Sequence, residues 1–306
     1  MDVSGYTGDV SLGDKARTVL VTGASGGIGR ATVAALLRQG FEVWATTRSQ
    51  AGSTGLRTEF GSRVRTLAFD LTDDEAVRVA AAEVIGSGPL FGLVNNAGQA
   101  LPGPLEYVPI EQFQRQLDIN LTGQLRVTQA LLPALRAGSS EWGNARIVMM
   151  GSLDGRIVGP LFGPYAASKH GLVGVTDALR AELYPARINV ILLEPGVIAT
   201  AIWRRGTSVL GDLQPNLPAN GGPYRSIMNF AQRYVSKLSS LGASPDRVAK
   251  AVVHSLTNPR PTPRRVVGID ANIVGAALHI LPPRLIYRLT ALPKVVARES
   301  DPRPHS

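Results

Sequence analysis

Short apolar runs alternate with longer segments of helical periodicity through the first 200 residues of the chain. Several runs are almost continuous in valine, isoleucine and leucine, which is typical of strands buried on both faces. The runs cover residues 17–22, 41–46, 64–69, 90–95, 145–150 and 187–193, and the helical segments include 29–39, 73–85, 110–136 and 165–184. This alternation predicts the α/β class, with a single Rossmann-type doubly wound parallel sheet that carries helices on both faces.

The alternation stops near residue 200, and this change defines the expected organisation of the chain. Residues 201–244 contain three prolines and several glycines among scattered apolar residues, and they predict an apolar lid inserted into the fold. A helix over 245–256 and a strand over 264–269 are predicted to follow. The expected parts are a flexible N-terminus over 1–15, one main domain over 16–270 and a C-terminal helical extension over 271–306.

The composition is that of a globular protein. Hydrophobic residues make up 44% and charged residues 18% of the 306 residues, which excludes a chain that is disordered throughout. There is no cysteine, and the four histidines lack the spacing of metal ligands, so we expect no disulfide and no metal site. No apolar stretch reaches the ~18–20 residues of a spanning helix, and no signal peptide is visible. We therefore expect a cytoplasmic protein.

The net charge of +9 is concentrated in the last third of the sequence. Residues 201–306 contain 15 basic and five acidic residues. Nucleic-acid binding is one interpretation of such an asymmetry. No nucleic-acid-binding motif or cluster of basic and aromatic residues accompanies the charge, so we expect no nucleic-acid partner.

A glycine-rich turn follows the first predicted strand, and a helical pattern begins immediately after it. Glycines let a backbone turn sharply and approach a pyrophosphate, which lies at the positive end of the helix dipole. A plain tight turn is the alternative interpretation. The position after the first strand favours a dinucleotide site, and its expected contacts are Gly23, Ser25, Gly26, Gly27, Ile28 and Gly29.

A tyrosine, a lysine and a serine are candidates for chemistry. Tyr165 and Lys169 are four residues apart in a predicted helix, which places both side chains on one face. Ser152 follows the predicted strand over 145–150 and therefore lies at the carboxyl end of the sheet, where open α/β folds bind ligands. Each has an ordinary alternative, because such pairs are common on amphipathic helices and serines after strands commonly cap helices.

Taken together, these motifs resemble those of the short-chain dehydrogenase/reductase family over residues 16–200. The turn has the spacing TGxxxGxG, and the tyrosine and lysine have the spacing YxxxK. Further positions that match family motifs are Asn95-Asn96-Ala97-Gly98, Asn120, Pro195-Gly196 and Thr200. The local sequences at 103–106, 163–170 and 194–196 resemble the retinol and hydroxysteroid dehydrogenase branch.

The resemblance implies that the protein interconverts an alcohol and a carbonyl compound. Tyr165 would be the acid or base, and a nearby ammonium together with the cationic oxidised nicotinamide would lower its pKa. Ser152 would hydrogen-bond the carbonyl oxygen, Lys169 would also bind the nicotinamide ribose, and Asn120 would hold a water that links Lys169 to solvent. For Asn120 alone, a buried helix hydrogen bond is the alternative.

Further cofactor contacts follow from the same resemblance. The implied residues are Asp70, Leu71, Asn96, Ala97, Gly98, Tyr165, Lys169, Pro195, Gly196, Val197 and Thr200. Asp70 has an alternative role as the cap of the helix that begins near Asp73. The segment from Asn95 to Gly98 is expected to support the sheet edge beside the cofactor.

The end of the second predicted strand favours NADP(H) over NAD(H). Family members that use NAD commonly have an acidic residue at the position of Thr47, and here an arginine, Arg48, follows a neutral residue. A guanidinium suits a 2′-phosphate, because its planar donors carry a fixed positive charge. A solvated surface arginine is the alternative.

The substrate is expected to be bulky and apolar, such as a steroid, a retinoid or another lipid. Apolar residues in the lid and near the catalytic positions predict an apolar pocket. The expected pocket residues are Ser152, Leu153, Phe162, Trp203 and Phe230. Two alternatives are a reductase of acyl thioesters, in which the basic C-terminal third binds an acidic carrier or coenzyme A, and a non-catalytic NADPH-binding regulator.

The C-terminal extension predicts peripheral membrane contact through residues 271–298. Two apolar segments meet at Pro282-Pro283, and Arg284 and Arg288 lie four residues apart. An apolar face with flanking cations is typical of a segment that lies in a membrane interface. The alternative is that this segment packs onto the enzyme or a second subunit. The family resemblance also implies a homodimer or homotetramer, formed through the helices at 110–136 and 165–184.

Overall fold

One sheet of seven parallel strands organises the computed structural model, which describes residues 16–199, 224–225, 227–229, 242–282, 284–286 and 288. The strands are β1 Thr18–Val21, β2 Glu42–Thr47, β3 Val64–Ala68, β4 Gly92–Asn95, β5 Ala145–Met150, β6 Ile188–Pro195 and β7 Arg264–Val267. They lie in the order β3-β2-β1-β4-β5-β6-β7, and every pairing is parallel. The predicted parallel sheet is confirmed.

The strands are buried on both faces, as their apolar sequences predict. All residues of β5 are buried. In β1, Leu20 belongs to the core on one face of the sheet, whereas Val19 and Val21 belong to the core on the other, because successive side chains of a strand point in opposite directions. The predicted strand limits agree with the structure to within two residues. The last strand ends earlier than predicted because Gly268, at φ 125°, turns the chain into a helix.

The connecting segments are helical. The described α-helices are α1 Gly27–Arg38, α2 Gln50–Phe60, α3 Asp74–Gly86, α4 Ile110–Leu117, α5 Gly123–Trp142, α6 Gly163–Leu183, α7 Pro245–Thr257 and α8 Ile269–Ile280. The sequence predicts one helix over 110–136, but a π-helical turn, Asp118–Thr122, separates α4 from α5. It does not predict α2, which contains two glycines and whose first turn is capped by the side chain of Ser49.

Helices cover both faces of the sheet. The apolar sides of α3, α5 and α6 pack on the face that contains Leu20. Those of α1, α2 and α7 pack on the face that contains Val19 and Val21. This arrangement confirms the predicted doubly wound architecture, in which each face of a parallel sheet is closed by crossover helices.

The strand order reverses between β1 and β4. Chain connections run outward from β1 through β2 to β3, and in the other direction from β4 to β7. A crevice forms at such a switch point, outside the carboxyl ends of the strands, and ligands of doubly wound folds bind there. The glycine-rich turn follows β1, and the segment that begins with Asn96 follows β4, so both border this crevice.

Most of the predicted lid lies outside the described residues, apart from 224–225, 227–229 and 242–244. Of the predicted C-terminal extension, the structure describes the helix α8 and a few positions up to Arg288. A search of the described residues finds no helix that is long and apolar enough to cross a membrane.

Candidate active site

The glycine-rich turn packs closely against the segment that follows β4. Gly23 has a φ of 63°, a conformation that favours glycine, and a Cβ there would lie 2.8 Å from the Cα of Ala97. A Cβ at Gly29 would lie 2.3 Å from the carbonyl oxygen of Gly23. Gly26 is the N-cap of α1 and has no side chain that could cap the first turn of the helix. The first backbone N–H groups of α1 are therefore available to a ligand. These features fit a phosphate-bearing cofactor.

Thr22 joins the two sides of the crevice. Its hydroxyl accepts hydrogen bonds from the backbone N–H groups of Asn96 and Ala97, both at 2.9 Å. The side-chain amide of Asn96 donates in return to the carbonyl oxygens of Thr22 and Gly23. Thr22 is the threonine of the TGxxxGxG spacing, but it is not among the predicted site residues.

The end of β2 separates the two residues that the sequence analysis assigned to the adenosine side of the cofactor. Thr47 is buried, and its hydroxyl donates to the carbonyl oxygen of Ser49 at 2.8 Å and shares a 2.9 Å hydrogen bond with the Ser53 hydroxyl. Arg48, by contrast, is exposed. Only the second of these side chains is therefore directed to where a ligand can reach it.

Asp70 forms a turn and does not cap α3. Its Oδ1 accepts from the backbone N–H and the hydroxyl of Thr72, at 2.9 and 2.8 Å, whereas Asp73 is the N-cap of α3. Burial disfavours the charged carboxylate, but the bonds from Thr72 and the charges of Arg48 and Arg115 outweigh it and lower the pKa of Asp70. The adjacent Leu71 is buried. Asp70 and Arg48 are thus close enough to interact electrostatically.

Ser152, Tyr165 and Lys169 lie together at the carboxyl end of β5. All three are buried. The ammonium of Lys169 donates to the carbonyl oxygen of Met150, the last residue of β5, at 2.8 Å, and it lies 5.6 Å from the ring centre of Tyr165. Because α6 begins at Gly163, the tyrosine is in its first turn and the lysine one turn later. The predicted helical face is therefore directed at the strand end.

In the protein alone, the pKa of Tyr165 lies above its ordinary value. Burial, followed by the negative charge of Asp154, raises it, and the hydrogen bond with Ser152 opposes that rise. Burial also lowers the pKa of Lys169 to about 8, although Asp154 favours the charged ammonium. The expected lowering of the Tyr165 pKa rests on the charges of the lysine and of the oxidised nicotinamide, and the desolvation of the phenol and the neighbouring carboxylate oppose it.

Asp154 is a further residue near the site that was not predicted from the sequence. The Ser152 hydroxyl donates to Asp154 Oδ2 at 3.0 Å and accepts from the Asp154 backbone N–H at 3.1 Å. Burial raises the pKa of the Asp154 carboxyl, against the opposing effect of the bond from Ser152 and of other nearby donors and cations. The spacing Ser-x-Asp is a signal for such a turn, but it does not reveal that the turn lies beside the other site residues.

Asn120 is buried within the π-helical turn. Its Oδ1 accepts from the backbone N–H of Gln99 at 2.9 Å, and its amide donates to the carbonyl oxygen of Gln99 and to the Ser168 hydroxyl, at 2.8 and 3.1 Å. A Cβ at Gly98 would lie 3.2 Å from Asn120 Oδ1 and 3.9 Å from Lys169 Nζ. The Asn120 side chain is thus hydrogen-bonded to protein atoms, and Gly98 lies between it and the ammonium of Lys169.

The buried carboxylate of Glu194 forms ion pairs at the same end of the sheet. Glu194 has no exposed surface, and it accepts hydrogen bonds from the guanidinium groups of Arg156 and Arg264. Burial disfavours its charge, but these two arginines outweigh that effect and lower the pKa of the carboxyl. Arg156 follows the short 3₁₀ turn Leu153–Gly155, so the ion-pair network connects the segment after Ser152 to β6 and β7.

The next segment closes the crevice beside β6. Pro195 pairs with Val267 of β7, and the N–H of Gly196 donates to the carbonyl oxygen of Val267 at 3.0 Å. The carbonyl oxygen of Val197 accepts from the N–H of Ala243 at 2.9 Å. Thr200 lies outside the described residues.

Part of the predicted substrate pocket is described. Leu153 and Phe162 are both partly buried. Leu161 adopts a φ of 71°, unusual for leucine, and its buried side chain packs against residues of the lid. These are Tyr224, Ile227 and Met228. The other predicted pocket residues, Trp203 and Phe230, lie outside the described chain.

The family can now be assigned. A model of the short chain dehydrogenase family matches residues 17–208, which include the glycine turn, the crevice and the cluster of Ser152, Tyr165 and Lys169. The chain belongs to the short-chain dehydrogenase/reductase family. The predicted resemblance is therefore confirmed, and this family member is a nucleotide-binding oxidoreductase with a Rossmann-type fold.

Several members of the family are similar to this chain over most of their length. An NADPH-dependent 3-dehydrocapnine reductase from Ornithobacterium rhinotracheale is 32% identical over 89% of this chain and 95% of its own. Retinol dehydrogenase 5 from Mus musculus is 31% identical, over 88% and 86%. The 17-beta-hydroxysteroid dehydrogenase type 6 of Bos taurus is 30% identical, over 94% and 89%. The predicted similarity to the retinol and hydroxysteroid dehydrogenase branch is confirmed.

A solved structure shows the same fold. The crystal structure of a short chain dehydrogenase from Burkholderia cenocepacia in complex with NADP has a TM-score of 0.69 and 25% identity, and the match covers 90% of this chain and 98% of that one. Within the described residues of this dehydrogenase/reductase, no group of three or more histidine, aspartate or glutamate side chains is placed to hold a metal ion.

Proposed function

We propose that this enzyme interconverts an alcohol and a ketone or aldehyde with NADP(H), and that Tyr165 transfers the proton. The observation that carries the proposal is the convergence of Ser152, Tyr165 and Lys169, all buried, at the strand end that borders the switch-point crevice. A buried tyrosine and lysine at such a position are arranged for proton transfer and not for solvation of a helix surface.

The side chains divide the work of the reaction. When it is bound, the cofactor supplies or takes up the hydride. Tyr165 donates the proton to the carbonyl oxygen in reduction and accepts it from the alcohol in oxidation, which is typically worth about 10²–10⁴ in rate. Ser152 donates a hydrogen bond to the same oxygen as negative charge develops there. Lys169, anchored on Met150, holds a positive charge beside the tyrosine and binds the nicotinamide ribose.

The cofactor contacts are proposed from the cradle around the glycine turn. Gly23 and Gly29 let the turn pack closely against Ala97 and against itself, and the uncapped start of α1 at Gly26 provides N–H donors for a pyrophosphate. Contacts at Asp70, Leu71 and the segments 96–98 and 195–197 are part of the same proposal, because these residues lie at or just after the carboxyl ends of β3, β4 and β6. The nicotinamide-side contact at Thr200 is proposed from the family motif alone.

The preference for NADP(H) rests on Arg48. It is exposed at the end of β2, while the hydroxyl of Thr47 is engaged within the protein, so the arginine is free to bind a 2′-phosphate through charge-assisted hydrogen bonds. The 3-dehydrocapnine reductase is named as NADPH-dependent, and the Burkholderia structure holds NADP. Both support the preference.

The substrate is proposed to be a bulky apolar carbonyl compound or alcohol, such as a steroid, a retinoid or another lipid. Leu161, Ile227 and Met228 form a small apolar cluster next to Phe162. Relatives that act on retinol and on 17-beta-hydroxysteroids are named among the similar proteins. An apolar wall with few polar groups suits such substrates.

A screen of NADPH oxidation tests this function. The panel contains steroid, retinoid and aliphatic ketones or aldehydes, and ketones linked to acyl thioesters, with Ser152→Ala as the variant that keeps the fold. We expect turnover of at least one bulky free carbonyl, and a loss of roughly 10²-fold in kcat in the variant. Binding of NADPH without turnover of any carbonyl would support a non-catalytic regulator instead.

The acyl-thioester reductase is kept as a second candidate because of one basic groove. Arg247, Lys250 and His254 line it from α7, and Arg265 lines it from β7. In the described part of the chain, none of the three arginine and lysine residues is within 4.0 Å of a carboxylate, so their charge is available to an acidic carrier or to coenzyme A. Turnover of thioester-linked ketones, lost in Lys250→Glu with Arg265→Glu while free ketones are still reduced, would favour this candidate.

Peripheral membrane contact is proposed for the C-terminal extension. On α8, Ile273 and Ile280 lie seven residues apart on one face, with 65% and 79% of their surface exposed. Arg284 and Arg288 follow and are exposed. An apolar face with flanking cations suits an anionic membrane surface, which is the location we propose for a cytoplasmic enzyme with a lipid substrate.

A homodimer or homotetramer through α4, α5 and α6 is a separate proposal, tested by light scattering.

A further inference from the structure

We propose that Asp154 is a positioning residue for Ser152, and that the protonation of its carboxyl decides whether the Ser152 hydroxyl donates to Asp154 or to the substrate oxygen. This inference rests on the proposed function, in which Ser152 stabilises the carbonyl oxygen. It adds to that function a residue that acts through the serine and makes reduction depend on pH.

The geometry is a closed two-point contact. Ser152, in an extended conformation, precedes the 3₁₀ turn Leu153–Gly155. Its Oγ accepts from the backbone N–H of Asp154 at 3.1 Å and donates to Oδ2 of the same residue at 3.0 Å. The turn therefore fixes the position of the hydroxyl oxygen through the backbone and the direction of its proton through the carboxylate.

A count of donors shows why this contact matters. A serine hydroxyl has one proton to donate and two lone pairs to accept, and a ketone oxygen can only accept. While Asp154 is a carboxylate, it also can only accept, and the single proton of Ser152 is directed to it at 3.0 Å, in competition with the neutral oxygen of Tyr165. In that state the serine cannot donate to a ketone without first breaking a charge-assisted hydrogen bond, which is among the stronger kinds.

Protonation of Asp154 reverses the direction of this bond. A carboxylic acid has an O–H donor, which it can give to one of the lone pairs of Ser152 Oγ. The serine proton is then free to point at the substrate oxygen. No covalent bond changes in the switch apart from the proton taken up from solvent by the carboxylate, and the backbone N–H of Asp154 continues to hold Ser152 Oγ in place.

The charges around Asp154 come from two packed elements. Tyr165, Lys169 and His170 face it from α6, and Glu194 lies on β6. Burial raises the pKa of the Asp154 carboxyl, while the bonds from Ser152 and its own backbone and the charges of Lys169 and His170 oppose that rise. The protonated form therefore persists to higher pH than in an ordinary aspartate.

Glu194 binds the nearby arginines, so they do not hold Asp154 in its ionised form. Arg156 is two residues from Asp154, but its guanidinium bonds Glu194, as does that of Arg264. Glu194 thereby stays ionised, with a lowered pKa, in spite of its burial. Asp154 has a hydroxyl and a backbone N–H as its hydrogen-bond donors among the described residues, so it is the carboxylate of the two that can take up a proton.

The predicted pH dependence has a definite sign. Ketone reduction is fastest where Asp154 is protonated and falls as the pH rises through the pKa of this carboxyl. We expect a fall of about tenfold in kcat. Complete loss of one such donor typically costs roughly 10²–10³, and the effect here is smaller because the Ser152 proton is redirected and not removed. A second fall, at higher pH, belongs to Lys169, whose pKa is about 8.

The test is the pH profile of kcat for NADPH-dependent reduction of a free ketone, in wild type, Asp154→Asn and Ser152→Ala. Asparagine has an N–H donor for Ser152 Oγ at every pH, so the variant resembles the protonated acid. We expect it to lose the lower-pH fall and to exceed wild type by about tenfold above it. The upper fall moves to lower pH, because the ammonium of Lys169 loses a negative neighbour.

The chain offers a matched control for the turn itself. At the start of α7, Ser244 donates to Asp246 Oδ2 at 3.0 Å and accepts from the Asp246 backbone N–H at 3.2 Å, so the same Ser-x-Asp contact occurs at an exposed place. Asp246→Asn should reproduce any loss of turn stability, measured by thermal unfolding, and leave the pH profile unchanged.

Two results would overturn the inference while leaving the proposed function intact. One is a lower-pH fall that persists in Asp154→Asn or in Ser152→Ala, which would assign it to another group. The other is a variant that is slower by the same factor at every pH, as a purely structural residue would be. Infrared spectroscopy of the protein alone gives a second readout. At a pH above the range in which an ordinary aspartate is protonated, wild type should still show the band of a protonated carboxyl group, and Asp154→Asn should not. Absence of wild-type turnover on every carbonyl would contradict the proposed function itself.

Discussion

The two ends of the sheet are built differently, although both are buried. At the amino end, the ring of Phe91 stacks on Phe41 at 6.1 Å and meets Trp142 edge-on at 5.8 Å. The guanidinium groups of Arg17 and Arg146 lie over the same ring, at 4.8 and 5.7 Å. At the carboxyl end, buried polar groups bind the backbone of turns and strand ends.

The difference separates stability from chemistry. Large aromatic contacts and cation–π pairs favour the folded state. Buried cations work against folding at both ends: burial lowers the pKa of the Lys169 ammonium to about 8, and burial, followed by repulsion from Arg17, lowers the pKa of Arg146 to about 10. At the amino end the aromatic ring between the two guanidinium groups offsets part of this cost. Leu161 at φ 71° adds local strain at the carboxyl end. We infer that the amino end stabilises the fold on which the carboxyl end holds its reactive groups.

The largest effect is expected for Tyr165→Phe. Loss of the proton donor should lower kcat by about 10²–10⁴-fold, while NADPH binding, followed by fluorescence titration, remains nearly unchanged. Thermal unfolding should change little, since only a hydroxyl is removed. Tyr184→Phe is the control, because that tyrosine is 80% exposed. A loss of only a few-fold would contradict the division between the two ends.

The converse change is Phe91→Ala at the amino end. Truncation of a fully buried aromatic side chain typically costs about 3–5 kcal/mol of unfolding free energy, and here it also removes the ring that both guanidinium groups cover. Denaturant unfolding measures this cost, with Tyr184→Ala as the exposed counterpart. The kcat of the protein that remains folded should equal that of wild type, and a specific loss of kcat would show that the two ends are coupled.

A smaller effect is expected for Arg48→Ala at the end of β2. Loss of a charge-assisted hydrogen bond costs roughly 1.5–3 kcal/mol, which corresponds to about 10–150-fold in the Kd of NADPH. The Kd of NADH should hardly change. Arg63→Ala, at the amino end of β3, is the matched control and should affect neither cofactor. If wild type already binds NADH more tightly, the assignment of Arg48 is wrong.

The smallest effect is expected for membrane contact, which would extend the carboxyl side of the comparison to α8. Each cation near an anionic surface contributes about 1 kcal/mol, so co-sedimentation with anionic vesicles should be partial and lost in high salt. Ile273→Ser with Ile280→Ser should weaken it further. Equal sedimentation with neutral vesicles, or none at low salt, would contradict membrane contact and favour packing of this helix against protein.

Much of the carboxyl end could be predicted from sequence, because each motif follows directly on a strand. The parallel sheet then brings Gly23, Asn96 and Ser152 to one edge without further information. The π-helical turn at Asn120 was not predictable, since the helical periodicity continues through it. Asp154 and Glu194 were missed because their roles depend on partners that only folding brings close, such as Arg264, which is 70 residues from Glu194 in sequence.

The amino end was less accessible to sequence reasoning. The residues around Phe91 come from four separate segments, and none belongs to a motif. The same is true of α2, whose weak apolar pattern is completed by the burial of Leu56 and Phe60 against the sheet. Packing between distant segments decides such features, whereas the motifs reflect a local requirement of the ligand.

The most direct measurement follows the hydride itself. NADPH that carries deuterium at C4 of the nicotinamide is incubated with the enzyme and a carbonyl compound that the screen finds active, and the product alcohol is analysed by mass spectrometry and NMR. We predict deuterium on the carbinol carbon with one stereochemistry, one equivalent for each NADPH oxidised, and almost none formed by Tyr165→Phe. Deuterium absent from that carbon, or product formation that is independent of Tyr165, would contradict the account.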